Sequence, residues 1–366
     1  MSEIVTLLKE LIKFKTLSSN PGEISKCALF IEEYLKGIGV NYRRVEQNCI
    51  PSIIVTPAKD YAPVLLMAHF DVVKGDNSLF TPVEKEGRLY GRGSIDDKYA
   101  VALSLVLLKK WMERLKKDKL SQESLPFGIL LTGDEESGGF DGAKYALKKV
   151  KSSFVIALDG GSPEKIVVKE KGILQLKLEA SGKAAHGARP WLGVNAIDML
   201  VDDITKIRTL FKDNTPEHWH KTINTGIIKG GESINQVPDS AQAFLDIRYT
   251  ENDDPDKIAA MVDKITDSSV SIQVKEPLFV TDDSDYLTTL LSLVPDTKTG
   301  FEHGASDARF LQQYGTPGII WGAQGNMTQH SSDEHVDIES INFIFNTLDK
   351  FFIKVNKEMV TIGSPG

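Results

Sequence analysis

Three short apolar runs, each ending abruptly in a polar cluster, dominate the first half of the chain. Val64-Leu-Leu-Met-Ala68 runs into His69-Phe-Asp71, Phe127-Gly-Ile-Leu-Leu131 into Thr132-Gly-Asp-Glu-Glu136, and Phe154-Val-Ile-Ala-Leu158 into Asp159. Unbroken apolarity over so few residues predicts strands buried on both faces. Between and before them lie amphipathic patterns that predict helices over residues 2–13, 24–35, 99–115 and 142–150. The alternation is that of βαβ units, so the expected class is α/β, a mostly parallel sheet with helices on both faces. After residue 172 the period changes. Residues 173–180, 241–249 and 270–274 alternate apolar and polar, as one-sided antiparallel strands do, and helices are expected near 196–211 and 255–265. The α/β pattern resumes after about residue 283, with a strand at 318–321 and a closing helix from 338 to about 359. The chain therefore divides into one domain of residues 1–172 and 284–366 and an inserted α+β domain of residues 173–283.

Composition narrows the function classes. The 366 residues, 41% of them hydrophobic, suffice for two cores, and the net charge of −8 argues against nucleic-acid and anionic-membrane partners. Cys27 and Cys49 are too few for a disulfide framework or a thiolate zinc cluster and read as reduced structural residues. No apolar run approaches the roughly 18 residues of a membrane span. The N-terminal pattern is an amphipathic helix rather than a signal peptide, so a cytoplasmic location is expected.

The chemistry lies at the strand ends. In open α/β sheets the ligand crevice sits outside the carboxyl ends of the strands, so residues scattered in sequence can converge there. His69, Asp96, Glu136, Asp159 and His330 make a set of imidazole and carboxylate ligands suited to two metal ions. Asp71, two residues after His69, projects to the same side and can hydrogen-bond the ring nitrogen that does not face metal. Glu135 and Glu136 are adjacent and point in different directions, so one can bind metal while the other serves as general base. Each feature alone has a plainer explanation. A lone His-x-Asp is more often a solvated pair, Asp96 could cap the helix after Gly91-Arg-Gly-Ser-Ile95, Asp159 could be a turn residue, and His330 sits in a polar loop. The ensemble is what carries weight. His218 and His220, spaced for chelation but without acidic neighbours, read as surface or packing residues. His335 reads as a solvated residue at a helix start, and His303 as part of a tight binding loop.

Six segments together resemble the M20 family of metallopeptidases: His69-Phe-Asp71, Gly91–Lys98, Thr132–Gly139, Gly182–Pro190, Gly230–Asp239 and Ser306–Arg309. The resemblance spans nearly the whole chain. It implies a zinc-exopeptidase-like catalytic domain and an inserted lid and dimerisation domain. One ion, zinc with cobalt or manganese as alternatives, would be held by His69, Asp96 and Asp159, and a second by Asp96, Glu136 and His330. A cis peptide at Asp96-Asp97 is implied as well. Glu135 would be the general base acting on a metal-bridging hydroxide, Asp71 would orient His69, His186 would stabilise the oxyanion from a partner subunit, and Asn235, Arg248 and Gly304 would hold the substrate. The chain departs from the family's usual pattern at Tyr99, commonly Gly, and at Ala305, commonly Thr. In the family, Asp rather than Glu at the position of Asp159 accompanies aminopeptidase and dipeptidase activity. The expected function is therefore amide hydrolysis in short peptides by a homodimer. The alternatives are an N-acyl-amino-acid deacylase of the acetylornithine or succinyl-diaminopimelate type, and a non-catalytic metal-binding protein of the same fold.

Overall fold

A computed structural model describes residues 2–213 and 215–362 of the chain. They fall into two compact units, one of Met1–Val168, Thr281–Gly300 and Ser306–Gly366, the other of Lys169–Val280 and Phe301–Ala305.

In the first unit the three apolar runs become strands Tyr61–His69, Phe127–Thr132 and Lys151–Ala157. Tyr61–His69 lies between the other two and pairs with both in parallel, and Gly318–Ile320 adds a further parallel strand beside Lys151–Ala157. The register decides where the chemistry falls. His69 stands opposite Thr132, and Met67 opposite Ala157, so the three polar clusters leave the sheet at the same end and level. Every residue of Phe127–Thr132 is buried, which requires cover on both faces. The helix Lys98–Lys117 packs on Tyr61–His69, and the helix Ser2–Ile12 packs against Lys98–Lys117. Pro21–Gly37 covers Ile50–Val55, and Ile338–Ile362 closes against Lys98–Lys117. The α/β class, with parallel central strands and helical layers, is as the sequence predicts.

The flank of this sheet is not parallel. Arg43–Gln47 and Ile50–Val55 form an antiparallel hairpin, and Ile50–Val55 pairs antiparallel with Phe127–Thr132. The hairpin escaped prediction because its outer strand, Arg-Arg-Val-Glu-Gln, is a half-exposed polar edge with no apolar period. The helix expected over 142–150 shrinks to Ala143–Ala146, followed by turns that lead into the strand at Lys151. His335 requires a correction. Rather than a solvated residue at a helix start, it opens the strand His335–Asp337, pairs with Tyr90, is 4% exposed, and sets its ring 5.0 Å from the Tyr90 ring.

The second unit is a four-stranded antiparallel sheet in the order Thr222–Gly230, Ser240–Tyr249, Gly172–Ser181, Ser269–Glu276. Burial alternates strictly along its two central strands, so Leu174, Leu176, Leu178, Ala243, Leu245 and Ile247 share one face. That face takes the helices Ala196–Arg208 and Pro255–Ile265 through Leu200, Ile204 and Val262. Both helices start where side chains dictate: Asn195 accepts from the backbone N–H groups of Ile197 and Asp198, and Asp254 from those of Asp256 and Lys257. No helix among the described residues is long and apolar enough to cross a membrane.

Candidate metal centre

At the carboxyl end of the central strands the first unit gathers two groups of side chains that could hold a metal ion, His69 with Glu135 and Asp159, and Asp96 with Glu136 and His330; within each group the candidate ligand atoms lie within 4.8 Å of one another. Asp96 links the groups. Its Oδ1 is 3.0 Å from His69 Nε2, and its Oδ2 is 3.1 Å from His330 Nε2. His330 Nε2 is also 3.2 Å from Glu136 Oε2, and His69 Nε2 is 3.8 Å from Asp159 Oδ2. One carboxylate thus offers an oxygen to each of two imidazoles. The peptide between Asp96 and Asp97 is cis.

Asp71 has two tasks. The His69 Nδ1 edge faces the Asp71 carbonyl at 3.1 Å and its Oδ1 at 3.3 Å, which aims Nε2 into the centre. The same carboxylate accepts the backbone N–H groups of Glu135 and Glu136, at 3.1 Å each, and so fixes the turn that presents both glutamates. The electrostatics reflect the crowding of acids out of water. Burial drives the Glu135 carboxyl well above its usual range, with repulsion from Asp159 adding to it and His69 opposing. Burial also pushes Asp159 up to about 7 against the pull of His69. Burial raises Asp96 too, but hydrogen bonds with His330 and His69 outweigh it and hold that carboxyl below the ordinary carboxylate range. Hydrogen bonds to Asp96 and Glu136 push His330 up to about 10.

The donor set suits divalent cations. Five carboxylates, from Asp71, Asp96, Glu135, Glu136 and Asp159, surround two imidazoles, and Glu136 Oε1 is buried without a hydrogen-bond partner. The nearby ammonium of Lys98 does not compensate them, because it turns away to the carbonyls of Leu11 and Phe14.

Glu334 lies in a stretch whose sequence suggests only solvated polar residues, yet its side chain is fully buried. Oε1 accepts the backbone N–H groups of Gly93, Ile95 and Asp96, while Oε2 pairs with Arg92. Arg92 in turn donates to the carbonyls of His330 and Ser331, so a single ion pair fastens the Asp96 turn to the His330 loop. Burial pushes the Glu334 carboxyl up to about 7, with Arg92 pulling it down. Arg92→Leu would strand a buried carboxylate, and a loss of about 3–5 kcal/mol of unfolding free energy is expected. Urea denaturation checks this; a loss below about 1 kcal/mol would place the pair among weak surface contacts.

The remaining site candidates belong to the second unit. His186 is exposed on the short strand Ala185–His186, where its Nδ1 accepts the Ala188 N–H, and Asn235 lies beside it through the Gly187 N–H to Asn235 carbonyl bond. Arg248, on Ser240–Tyr249, donates from Nε to Asp246 at 2.9 Å, and Gly304 has open space where a side chain would stand. His218 and His220 join no ligand group among the described residues. Cys27 is buried and free; Cys49 is free and exposed, so it does not fill the structural role expected of it.

Residues 65–354 match the profile of Peptidase family M20/M25/M40. The chain belongs to this family. It is accordingly a metal-dependent hydrolase. Among similar proteins, the M20 chain is 26% identical to a succinyl-diaminopimelate desuccinylase of Legionella pneumophila, over 98% of this chain and 100% of that one. Its fold matches a tripeptidase of Staphylococcus aureus with a TM-score of 0.77 at 19% identity, covering 97% of this chain and 98% of that one. It also matches a dinuclear metal-binding M20 peptidase of Bacillus subtilis with a TM-score of 0.67 at 14% identity, covering 97% and 98%.

Proposed function

We propose that this M20 hydrolase cleaves an amide bond in short peptides at a dinuclear centre. The observation that carries the reading is Asp96, whose two oxygens face two different imidazoles while Glu135 stands beside His69 and Asp159. His69, Asp96 and Asp159 would hold one ion, and Asp96, Glu136 and His330 the other, with zinc as the ion of choice. When bound, the pair supplies Lewis-acid polarisation of the scissile carbonyl and lowers the pKa of water toward neutrality. Glu135 takes the proton from the attacking water and returns it to the departing amine, a role its place beside His69 and Asp159 supports. Asp71 keeps His69 and both glutamates in register for this. In the same reading the second unit acts as lid and dimerisation module. There His186 donates to the oxyanion from a partner subunit, and Asn235, Arg248 and Gly304 bind the substrate's carboxylate end.

The acid at position 159 favours peptides in this reading, since the family resemblance implies that Asp there goes with aminopeptidase and dipeptidase activity. The desuccinylase relative supports the second reading, an N-acyl-amino-acid deacylase using the same centre. The test is amine release from dipeptides, tripeptides, and N-acetyl and N-succinyl amino acids by protein reconstituted with zinc, cobalt or manganese. Cleavage of unblocked peptides alone is expected; cleavage of acylated amino acids alone would replace the first reading with the second.

A further inference from the structure

Tyr99, the second residue of the helix Lys98–Lys117, is 1% exposed and ranks among the largest fully buried side chains. Its ring could be ordinary core, but a buried phenol hydroxyl must find partners. It finds two on different segments: it donates to the carbonyl of Leu158 and accepts the backbone N–H of Ala323 at 3.0 Å. Leu158 succeeds the strand Lys151–Ala157 and directly precedes Asp159; Ala323 lies three residues beyond the neighbouring strand Gly318–Ile320, on the run to His330. Gly322 completes the socket, because a side chain there would strike the hydroxyl and the carbonyls of Leu158 and Gly160.

The residues beyond Leu158 make the bond matter. Gly160 and Gly161 both have positive φ, +133° and +69°, a backbone with little steric restraint of its own. Asp159 therefore sits between a fastened carbonyl and two permissive residues, and Tyr99 is three residues from Asp96 on a continuous segment. We propose that Tyr99 is a positioning residue whose hydroxyl sets the place of the Asp159 carboxylate relative to His69 and Asp96, and so the affinity of the ion these residues hold. The inference rests on the dinuclear reading above.

The test is cobalt titration of the apo-protein, followed by visible absorption and by competition with a chelator, with Asp159→Asn marking which binding step belongs to Asp159. Tyr99→Phe keeps the ring and removes only the hydroxyl. It is expected to weaken that step about 10–100-fold, as loss of a partner behind a ligand does, and to leave the other step within about threefold. In the Asp159→Asn background the same change should have no further effect on the remaining step. Tyr99→Leu, which also lacks the hydroxyl, should give the same pattern and serves if Tyr99→Phe does not fold; Gly322→Ala is no substitute, because it would press on the Leu158 and Gly160 carbonyls directly. Two unchanged affinities, even with a lowered melting temperature of the apo-protein, would make Tyr99 a core residue only and overturn the inference. An equal loss in the Asp159→Asn background would overturn the route through Asp159. A wild-type chain that takes up no cobalt would instead overturn the metal-site reading itself.

Discussion

Glu135→Gln is expected to lower kcat by about 10²–10⁴-fold while metal content stays near two ions per chain. The amide keeps the size of the carboxyl and leaves intact the backbone N–H that Asp71 accepts, so the turn holding Glu136 does not move. Only the ability to take a proton from water and return it to the leaving amine is lost. Steady-state kinetics on the best substrate, with metal analysis of the same preparation, separates this from a loading defect. A variant of wild-type activity would remove Glu135 from the mechanism. A variant that loses metal would make it a ligand, a role its place in the group with His69 and Asp159 also permits.

Asp96→Ala should give the opposite pair of results. With the carboxylate gone, His69 and His330 no longer share a partner, and neither group of side chains keeps three ligands in the proposed assignment. Metal retained after gel filtration should fall well below two ions per chain, and activity to the limit of detection, with the circular dichroism spectrum of a folded protein. The adjoining helix Lys98–Lys117 has no need of the Asp96 side chain, since its first turn is tied back by the Lys98 N–H to the Gly93 carbonyl. Full metal retention in this variant would refute the bridging role.

The parts of the fold that were legible share one property: burial wrote a period into the sequence. Strands covered on both faces appear as unbroken apolar runs, and strands covered on one face as alternation, which is why Phe127–Thr132 and Gly172–Ser181 could both be read and told apart. The convergence of His69, Asp96, Glu135, Glu136, Asp159 and His330 could be anticipated because strand ends and motif order located them. The supports behind them could not. Glu334 acts through three backbone N–H groups some 240 positions earlier in the chain, and nothing in Asp333-Glu334-His335 has a period that signals burial. Tyr99 stood out only as an unusual residue at a helix start; its hydroxyl partners belong to segments that meet only in the folded sheet. Thr222–Gly230 carries no strand signal in its sequence, because most of its residues are exposed and its apolar residues do not alternate.

The Arg92–Glu334 clamp bears on how the enzyme survives without its ions. The turn carrying Asp96 and the loop carrying His330 are joined by the chain's own buried bonds. In small zinc domains, by contrast, metal binding is itself the folding free energy. A chain stripped by chelator should therefore persist as an intact, dormant catalyst rather than unfold and be degraded. Returning divalent cation to such a chain should then restore activity without a refolding step.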